Sequence, residues 1–502
     1  MSVESTASPR GRILLVFPQA RANYGSGDLK REDVKVDDLG AVYPPLGPLY
    51  VAAALERAGF AVRFADFSVE PYTHENLRRH LEGCQVLGLH TQTHFRESSA
   101  RIARDAREIL SGLKVLAGGP DVTLFRHLPE GVDVAMTGEV ERTVADVVAA
   151  MLAGGDLSKL PGVIFRDGDR IVRTEELSVE ESLGALPWPA RHLVARRDYS
   201  LFGAFRGKST SLITGRGCTG HCRFCARPAY AYFRYRPRPV DDVLDEIQSV
   251  CEQGYRFLYI TDDNLLAERE RAMALVNGIV ARKIRMHLKI VARVDVADPG
   301  LYDALVAAGV RFVDFGIESG SQATLDFYRK RATVEQNRLA VQLADERGIF
   351  THAHVILGAP FEDRAAMRDT VQFVQTLPLD TVFFNILGYR RGSLLWQEAK
   401  ENGLVRDEEE VVLASRERGL GLLDRAELTR VHGEAVRAYY LRPAYLRHGL
   451  GKLLRLRDPE LAWAITEVAA KAAFKVGWRS LRRVLSSRRG DSAANAEGQE
   501  ER

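Results

Sequence analysis

The run Thr214-Gly215-Arg216-Gly217-Cys218-Thr219-Gly220-His221-Cys222-Arg223-Phe224-Cys225 holds three of the five cysteines in this 502-residue chain. Three thiolates on one short loop leave a bound metal one ligand short, and that open position is where chemistry can happen. Thiolates select soft metals, and a loop this tight suits three corners of an iron-sulfur cube whose fourth iron stays open to a small molecule. A structural zinc site is the rival reading, with free buried thiols behind it. Zinc of that kind needs a closed set of four ligands, whereas Cys84 and Cys251 lie far off in sequence and His221 is poorly placed beside Cys222.

Downstream of the loop, apolar strand-like runs alternate with helix-period stretches. The strands are expected at 211–214, 257–261, 288–294, 312–317, 351–357 and 381–387, with amphipathic helices at 240–253, 301–308, 334–347 and 364–377. Strict alternation implies a parallel sheet with right-handed crossovers. Six units fall short of the eight that close a barrel, so a partial (β/α)6 barrel of TIM type is expected. In such a sheet the loops after the strands carry the site, and here they are polar or glycine-rich: Asp262-Asp263-Asn264, Arg293 with Asp295, Gly316-Ile317-Glu318-Ser319-Gly320, and Gly358 with Pro360. A strand-end carboxylate such as Glu318 suits a ribose or an ammonium, and the fork of Arg293 suits a carboxylate. Taken singly, each also reads as an ordinary polar strand cap.

The C-x3-C-x-F-C spacing followed by this alternation resembles the radical S-adenosylmethionine (SAM) superfamily. The resemblance implies a 4Fe-4S cluster on Cys218, Cys222 and Cys225, and reductive cleavage of SAM to a 5'-deoxyadenosyl radical. It also implies an electron donor of the flavodoxin or ferredoxin kind, and SAM contacts from Phe224, Asp262, Arg293, Glu318, Ser319 and Gly358.

The first ~150 residues alternate strand and helix independently, with strands at 13–17, 62–67, 86–90, 115–116 and 133–136 and a helix at 49–58. This describes a doubly wound, Rossmann-like domain whose strand ends carry small residues. No G-x-G-x-x-G follows the first strand, which argues against a dinucleotide. Pro44-Pro45-Leu46-Gly47-Pro48-Leu49, Gly118-Gly119-Pro120 and Gly138-Glu139 resemble the cobalamin-binding domain that precedes many radical SAM cores. By that analogy Thr91, Thr93, Gly118, Gly119, Gly138 and Glu139 lie along the corrin and nucleotide tail. No Asp-x-His-x-x-Gly is present to supply a lower cobalt ligand; His90 and His94 sit near a strand end, where a histidine is more often a packing residue.

The expected organisation is a cobalamin-binding domain over 1–150, a linker over 151–205 stiffened by Pro187-Trp188-Pro189, a barrel over 206–402, a helical C-terminal domain over 403–485 and a disordered tail over 486–502. Between Arg437 and Arg489, thirteen Lys and Arg face three Asp and Glu; with a chain total of +3, the remainder is net acidic by seven. Lys471, Lys475, Arg479, Arg482 and Arg483 recur near helical spacing beside Phe474, Trp478 and Leu481, a basic amphipathic helix that reads as a solvated face or as a peripheral membrane contact. Tyr439, Tyr440 and Tyr445, with Arg442 and Arg447, are expected to roof the barrel mouth. No run approaches a membrane span, the opening residues lack a secretion signal, and clustered rather than paired cysteines suit a reducing compartment, so a cytoplasmic enzyme is expected.

The resulting expectation is a cobalamin-dependent radical SAM enzyme, a C-methyltransferase acting on an unactivated carbon of a small-molecule substrate, with no nucleic-acid partner. Catalytic residues stay unassigned; Asp262, Asp263 or a tyrosine near the mouth are candidates for orienting substrate or taking a proton. Radical cyclisation or rearrangement with the same cofactors is the near alternative. A tRNA methylthiotransferase is a distant one, because that family carries a second cysteine trio upstream and only Cys84 lies there. A non-enzymatic iron-sulfur sensor would not cleave SAM. Substrate identity does not follow from fold or cofactors.

Overall fold

The computed structural model describes residues 9–18, 43–179, 182–195, 197, 199, 205, 208–227, 234–456, 458–463 and 465–467. The chain opens on β1 (Arg12–Phe17), whose unbroken apolar sequence is buried on both faces. Ile13 and Leu15 join one core layer while Leu14 and Val16 join the other, as expected of a strand covered on both sides by helices. There follow α1 (Leu46–Arg57), β2 (Ala61–Asp66), α2 (His74–Leu81), β3 (Val86–His90), α3 (Arg96–Ile109), β4 (Lys114–Gly118), α4 (Pro120–Phe125), β5 (Val134–Met136) and α5 (Val144–Ala153). Helix α1 begins three residues before the sequence suggested. Pro48 sits inside its first turn, where a missing N–H costs no helical bond.

Strands β1 to β5 are parallel in the order β2-β1-β3-β4-β5. A hairpin of β6 (Val163–Asp167) and β7 (Arg170–Arg173) extends the sheet antiparallel beyond β5. The first part of the stretch read as a linker is therefore the edge of this sheet. The second part is a plug: Ala190 N–H donates to Leu49 O, and the guanidinium of buried Arg191 pairs with Glu246 at 2.6 Å.

The second sheet comprises β8 (Ser209–Leu212), then, past the short antiparallel pair β9 (Gly215–Arg216) and β10 (Arg236–Pro237), β11 (Phe257–Ile260), β12 (His287–Ala292), β13 (Val310–Glu318), β14 (Phe350–Leu357) and β15 (Thr381–Ile386). All six are parallel in sequence order, the partial barrel that six units imply. Its crossovers are α6 (Val240–Glu252), α7 (Arg269–Ala281), α8 (Pro299–Ala307), α9 (Gln322–Phe327), α10 (Val334–Glu346) and α11 (Arg364–Thr376). Leu288, Ile290, Val313, Phe315, Val355 and Phe384 face these helices. The alternate residues face the lumen, whose floor is an aromatic layer of Phe205, Phe257, Phe312 and Phe350 with Leu461.

Past β15, β16 (Gly388–Arg390) is followed by α12 (Leu394–Glu401) and pairs antiparallel with β17 (Val411–Leu413), and α13 (Arg425–Tyr440) and α14 (Pro443–Arg455) come after it. The C-terminal helices do not form a core of their own. Leu428, Val431, Ala435 and Tyr439 of α13 belong to the barrel's outer core. The expected tyrosine roof is also placed elsewhere: Tyr439, Tyr445 and Tyr440 donate to the carbonyls of Leu379, Asp380 and Val382, at the start of β15 and away from the mouth. An edge strand needs partners for its outward backbone groups, and these hydroxyls supply them. The expected basic helix and tail beyond residue 467 lie outside the described residues.

Candidate functional site

The cysteine loop is pinned at its root. Thr214, just past β8, gives its N–H and its hydroxyl to the two oxygens of Asp262, each at 2.6 Å. Burial raises the Asp262 carboxyl to about 6, with the two Thr214 bonds and Arg271 pulling the other way. Strand β9 is held by β10 so closely that a Cβ on Gly215 would lie 2.8 Å from the Tyr235 ring. Asp262 thus braces the loop from below, and its oxygens are committed to Thr214.

Cys222 is buried, while Cys218 and Cys225 are half-buried. Gly220 N–H donates to Cys218 Sγ at 3.3 Å and Arg293 Nη1 donates to Cys222 Sγ at 3.5 Å. Burial pushes the Cys225 thiol up to about 11 and the Cys218 thiol upward too, so ionisation at neutral pH needs a bound cation and donors aimed at sulfur. Among the described residues the trio of His, Cys, Asp or Glu whose donor atoms all fall within 4.8 Å of one another is the exposed His74 and Glu108 with the half-buried Asp105. The three loop sulfurs are spread wider, whereas three thiolates on one tetrahedral zinc would be about 3.8 Å apart. The donor set and its spread fit the corners of a cluster.

Beside the loop stands a buried group of mixed charge. Arg293, just past β12, reaches Cys222 with one nitrogen, Asp295 at 2.8 Å with another, and the carbonyl of Lys330. Lys330, 5% exposed, meets Glu318 Oε1 at 2.9 Å. Glu318 closes β13 at φ +61°, after a register shift that follows Gly316. A Cβ on Gly316 would strike both the Glu318 carboxylate and the Lys330 ammonium, so glycine is needed for their meeting. Two cations and a carboxylate next to an open metal position suit the carboxylate and ammonium of an amino-acid ligand. Lys330 escaped the sequence reading; its only signal is the Arg329-Lys330-Arg331 run past the fourth strand.

The remaining expected SAM residues shape the mouth. Phe224 packs edge-on against Tyr328 with ring centroids 5.2 Å apart. Ser319 is fully buried, its hydroxyl 3.1 Å from that of Thr370. Gly358, at φ +91°, donates its N–H to the buried Glu362, which also takes Ala359 N–H and the Thr324 hydroxyl.

A cavity of about 450 Å³ lies between the two sheets' carboxyl ends. His90, Gly118, Gly119, Gly138 and Glu139 line it from the first domain; Arg216, Gly217, Arg227 and Asp263 line it from the barrel side. A Cβ on Gly119, at φ +122°, would come 2.6 Å from Thr91 O, so glycine is needed for this turn to pack against the end of β3. Thr91 and Thr93 are not part of the lining; Thr91 is 1% exposed and bonds Gly118 O through its N–H and its hydroxyl. His90 stacks on Phe17 at 5.2 Å, and burial drops its pKa to about 4, so it is a neutral imidazole. The His94 ring packs on Phe95 at 4.2 Å. Glu139 accepts from Arg236 at 2.5 and 2.9 Å and meets Arg216 at 3.2 Å, which joins the two domains across the cavity rim.

Above the aromatic floor, the lumen carries residues the sequence reading did not single out. Lys289 pairs with Asp314 at 2.9 Å and lies 4.8 Å over the Tyr259 ring. His352 shares a hydrogen bond with Thr381, His354 stacks on Phe383 at 6.0 Å, and Phe383 is 51% exposed. Period-two alternation in the strand sequences could have found them, since every second residue must face inward.

Residues 212–374 match the radical SAM superfamily and residues 33–148 match the B12 binding domain. An uncharacterized methyltransferase of Pyrococcus horikoshii is 26% identical over 401 residues, 78% of this chain and 84% of that protein. The anaerobic magnesium-protoporphyrin IX monomethyl ester cyclase of Cereibacter sphaeroides is 27% identical over 377 residues, 72% of this chain but 59% of that protein. The structure of the radical S-adenosylmethionine methyltransferase TsrM from Kitasatospora setae shares the fold at a TM-score of 0.64, with 21% identity over 79% of this chain and 77% of that one. The glycine-backed cavity and the wide thiol loop fit the groups these two domains bind. The chain carries a radical SAM domain behind a B12 binding domain, the make-up of a cobalamin-binding radical SAM enzyme.

Proposed function

We propose that the enzyme is a C-methyltransferase that alkylates an unactivated carbon of an organic substrate of the secondary-metabolite, lipid or tetrapyrrole kind. The observation that carries this reading is the single cavity lined jointly by the B12 domain's glycines and by both ends of the cysteine loop. Cys218, Cys222 and Cys225 hold the cluster in this proposal, Arg293, Lys330 and Glu318 take the amino-acid end of SAM, and Phe224 flanks its adenine. Gly118, Gly119, Gly138 and His90 bed the cobalamin, with Glu139 fixing the rim through Arg236 and Arg216. When bound, these groups supply a carbon radical and a transferable methyl; the protein's part is position and exclusion of water. The lumen takes the substrate: Phe383 and His354 offer a flat face, and Lys289 with Asp314 a polar depth. A flavodoxin- or ferredoxin-type protein supplies electrons, and the enzyme works in the cytoplasm. Among the described residues, no helix is long and apolar enough to cross a membrane.

The test is anaerobic reconstitution with iron, sulfide, cobalamin and SAM carrying a labelled methyl group, followed by product mass. Gain of one labelled methylene supports methylation, whereas formation of 5'-deoxyadenosine with no mass gain supports cyclisation or rearrangement, the second reading that the Cereibacter relative favours. Serine at Cys218, Cys222 or Cys225 is expected to abolish both the visible cluster band and SAM cleavage.

A further inference from the structure

The cysteine loop also borders a second region, which shares no lining residue with the interdomain cavity. There His221, Asp326, Arg329, Arg331 and Leu394 line a groove of about 510 Å³. His221 lies between Cys218 and Cys222 in sequence, so this groove opens directly on the backbone that carries the thiols.

The flanking turn is built to divide its charges. Arg329 and Arg331 both adopt left-handed conformations, at φ +51° and +52°. Non-glycine residues rarely hold that conformation unless the surroundings impose it. The result sends Lys330 inward to Glu318 and sends both arginines outward into solvent. The Lys330 carbonyl takes a bond from Arg293, which also touches Cys222 Sγ at 3.5 Å. Neither Arg329 nor Arg331 forms a salt bridge among the described residues, although Asp326 shares the groove. Nearby, Phe361 is 48% exposed and meets the edge of Phe327, over whose ring Arg223 is stacked at 4.5 Å. Two exposed cations without a salt bridge among the described residues, on a groove that His221 of the thiol loop also lines, have the composition of a small transient interface rather than of a small-molecule pocket.

We propose that this groove is the docking face for an acidic one-electron carrier protein, with Arg329 and Arg331 meeting its carboxylates. One electron passes from the reduced carrier to the oxidised cluster through the His221–Cys222 segment, and the carrier departs oxidised by one electron; no bond is made or broken. The placement leaves the interdomain cavity free. It rests on the reading that the three cysteines hold a cluster.

The experiment compares two reductants on the reconstituted full chain: reduced flavodoxin, an acidic carrier, and dithionite. The readouts are the rate at which the cluster's visible band bleaches and the electron paramagnetic resonance signal of the reduced cluster. Both arginines are exposed, so R329E/R331E is expected to fold, load iron and reach the full reduced signal with dithionite. Its reduction by flavodoxin at low ionic strength is expected to slow about tenfold or more, because steering between opposite charges is replaced by repulsion. The wild-type rate is expected to fall steeply with added salt while the variant's changes little, and R329K/R331K is expected to keep most of the wild-type rate. Equal flavodoxin rates for wild type and R329E/R331E, or a salt-independent wild-type rate, overturn the docking proposal while dithionite reduction leaves the cluster reading intact. Failure of the wild type to give any reducible cluster overturns the cluster reading itself, and the proposal with it.

Discussion

Glu139, past the end of the B12 domain's fifth strand, receives both terminal nitrogens of Arg236, at 2.5 and 2.9 Å, from the strand that pins the cysteine loop. Arg236 is 2% exposed and the Glu139 side chain 12%, and Arg216 approaches the same carboxylate at 3.2 Å. Glu139 was expected along the cobalamin; it lines the shared cavity and also ties the two sheets' carboxyl ends together at its rim.

Breaking that pair takes from Arg236 and Arg216 the carboxylate they share. Glu139→Gln is expected to cost about 3–5 kcal/mol, while replacing both partners with apolar residues costs markedly less. A double-mutant cycle by chemical denaturation measures the coupling, and single and double variants of equal stability would refute it.

His90 gives a pH signature. Its unfolded value near 6.5 drops to about 4 in the fold because burial, helped by His94, disfavours the imidazolium. The unfolded chain therefore binds a proton that the folded one refuses. The stability at stake is fully present above pH 6.5 and is lost as pH falls toward 4, with a slope of at most about 1.4 kcal/mol per pH unit. Denaturation curves between pH 7.5 and 5.5 are expected to show a shallower decline for His90→Gln than for the wild type; parallel declines would remove His90 as the source.

Much of this fold was legible because a parallel strand covered on both faces leaves a continuous apolar run, as Ile13 to Phe17 do in β1. The cysteine trio was legible because its chemistry is local. What escaped was decided by pairing between distant segments. Residues 163–173 read as a bridge until their antiparallel register with β5 placed them in the sheet. Asp262 read as a ligand contact because the sequence does not reveal that Thr214, 48 positions away, takes both its oxygens. Lys330 was missed because its meeting with Glu318 depends on left-handed turns that the residue types there do not advertise.

Phe383 and Phe384 are neighbours with opposite fates. Phe384 is 4% exposed in the outer core, so Phe384→Ala is expected to cost about 3–5 kcal/mol. Phe383 is 51% exposed in the lumen, so Phe383→Ala is expected to leave stability within about 0.5 kcal/mol and to raise KM for the substrate. Thermal denaturation of the two variants decides which faces the core, and an unchanged KM in Phe383→Ala would remove the ring from the substrate's path.

The last prediction concerns the barrel's open edge. Val382 N–H donates to the Tyr440 hydroxyl at 2.9 Å, and that hydroxyl in turn donates to Val382 O at 2.9 Å, so one side chain stands in for a missing seventh strand. Tyr440→Phe keeps the ring and its packing against Tyr439 and Tyr445 but strands both backbone groups. A buried donor left unmade costs about 1–3 kcal/mol. The loss is expected to be local: amide hydrogen exchange at Val382 quickens, while that of Val355 on the neighbouring inner strand is unchanged. Unaltered exchange at Val382 would mean that the edge is satisfied by some other group than the Tyr440 hydroxyl.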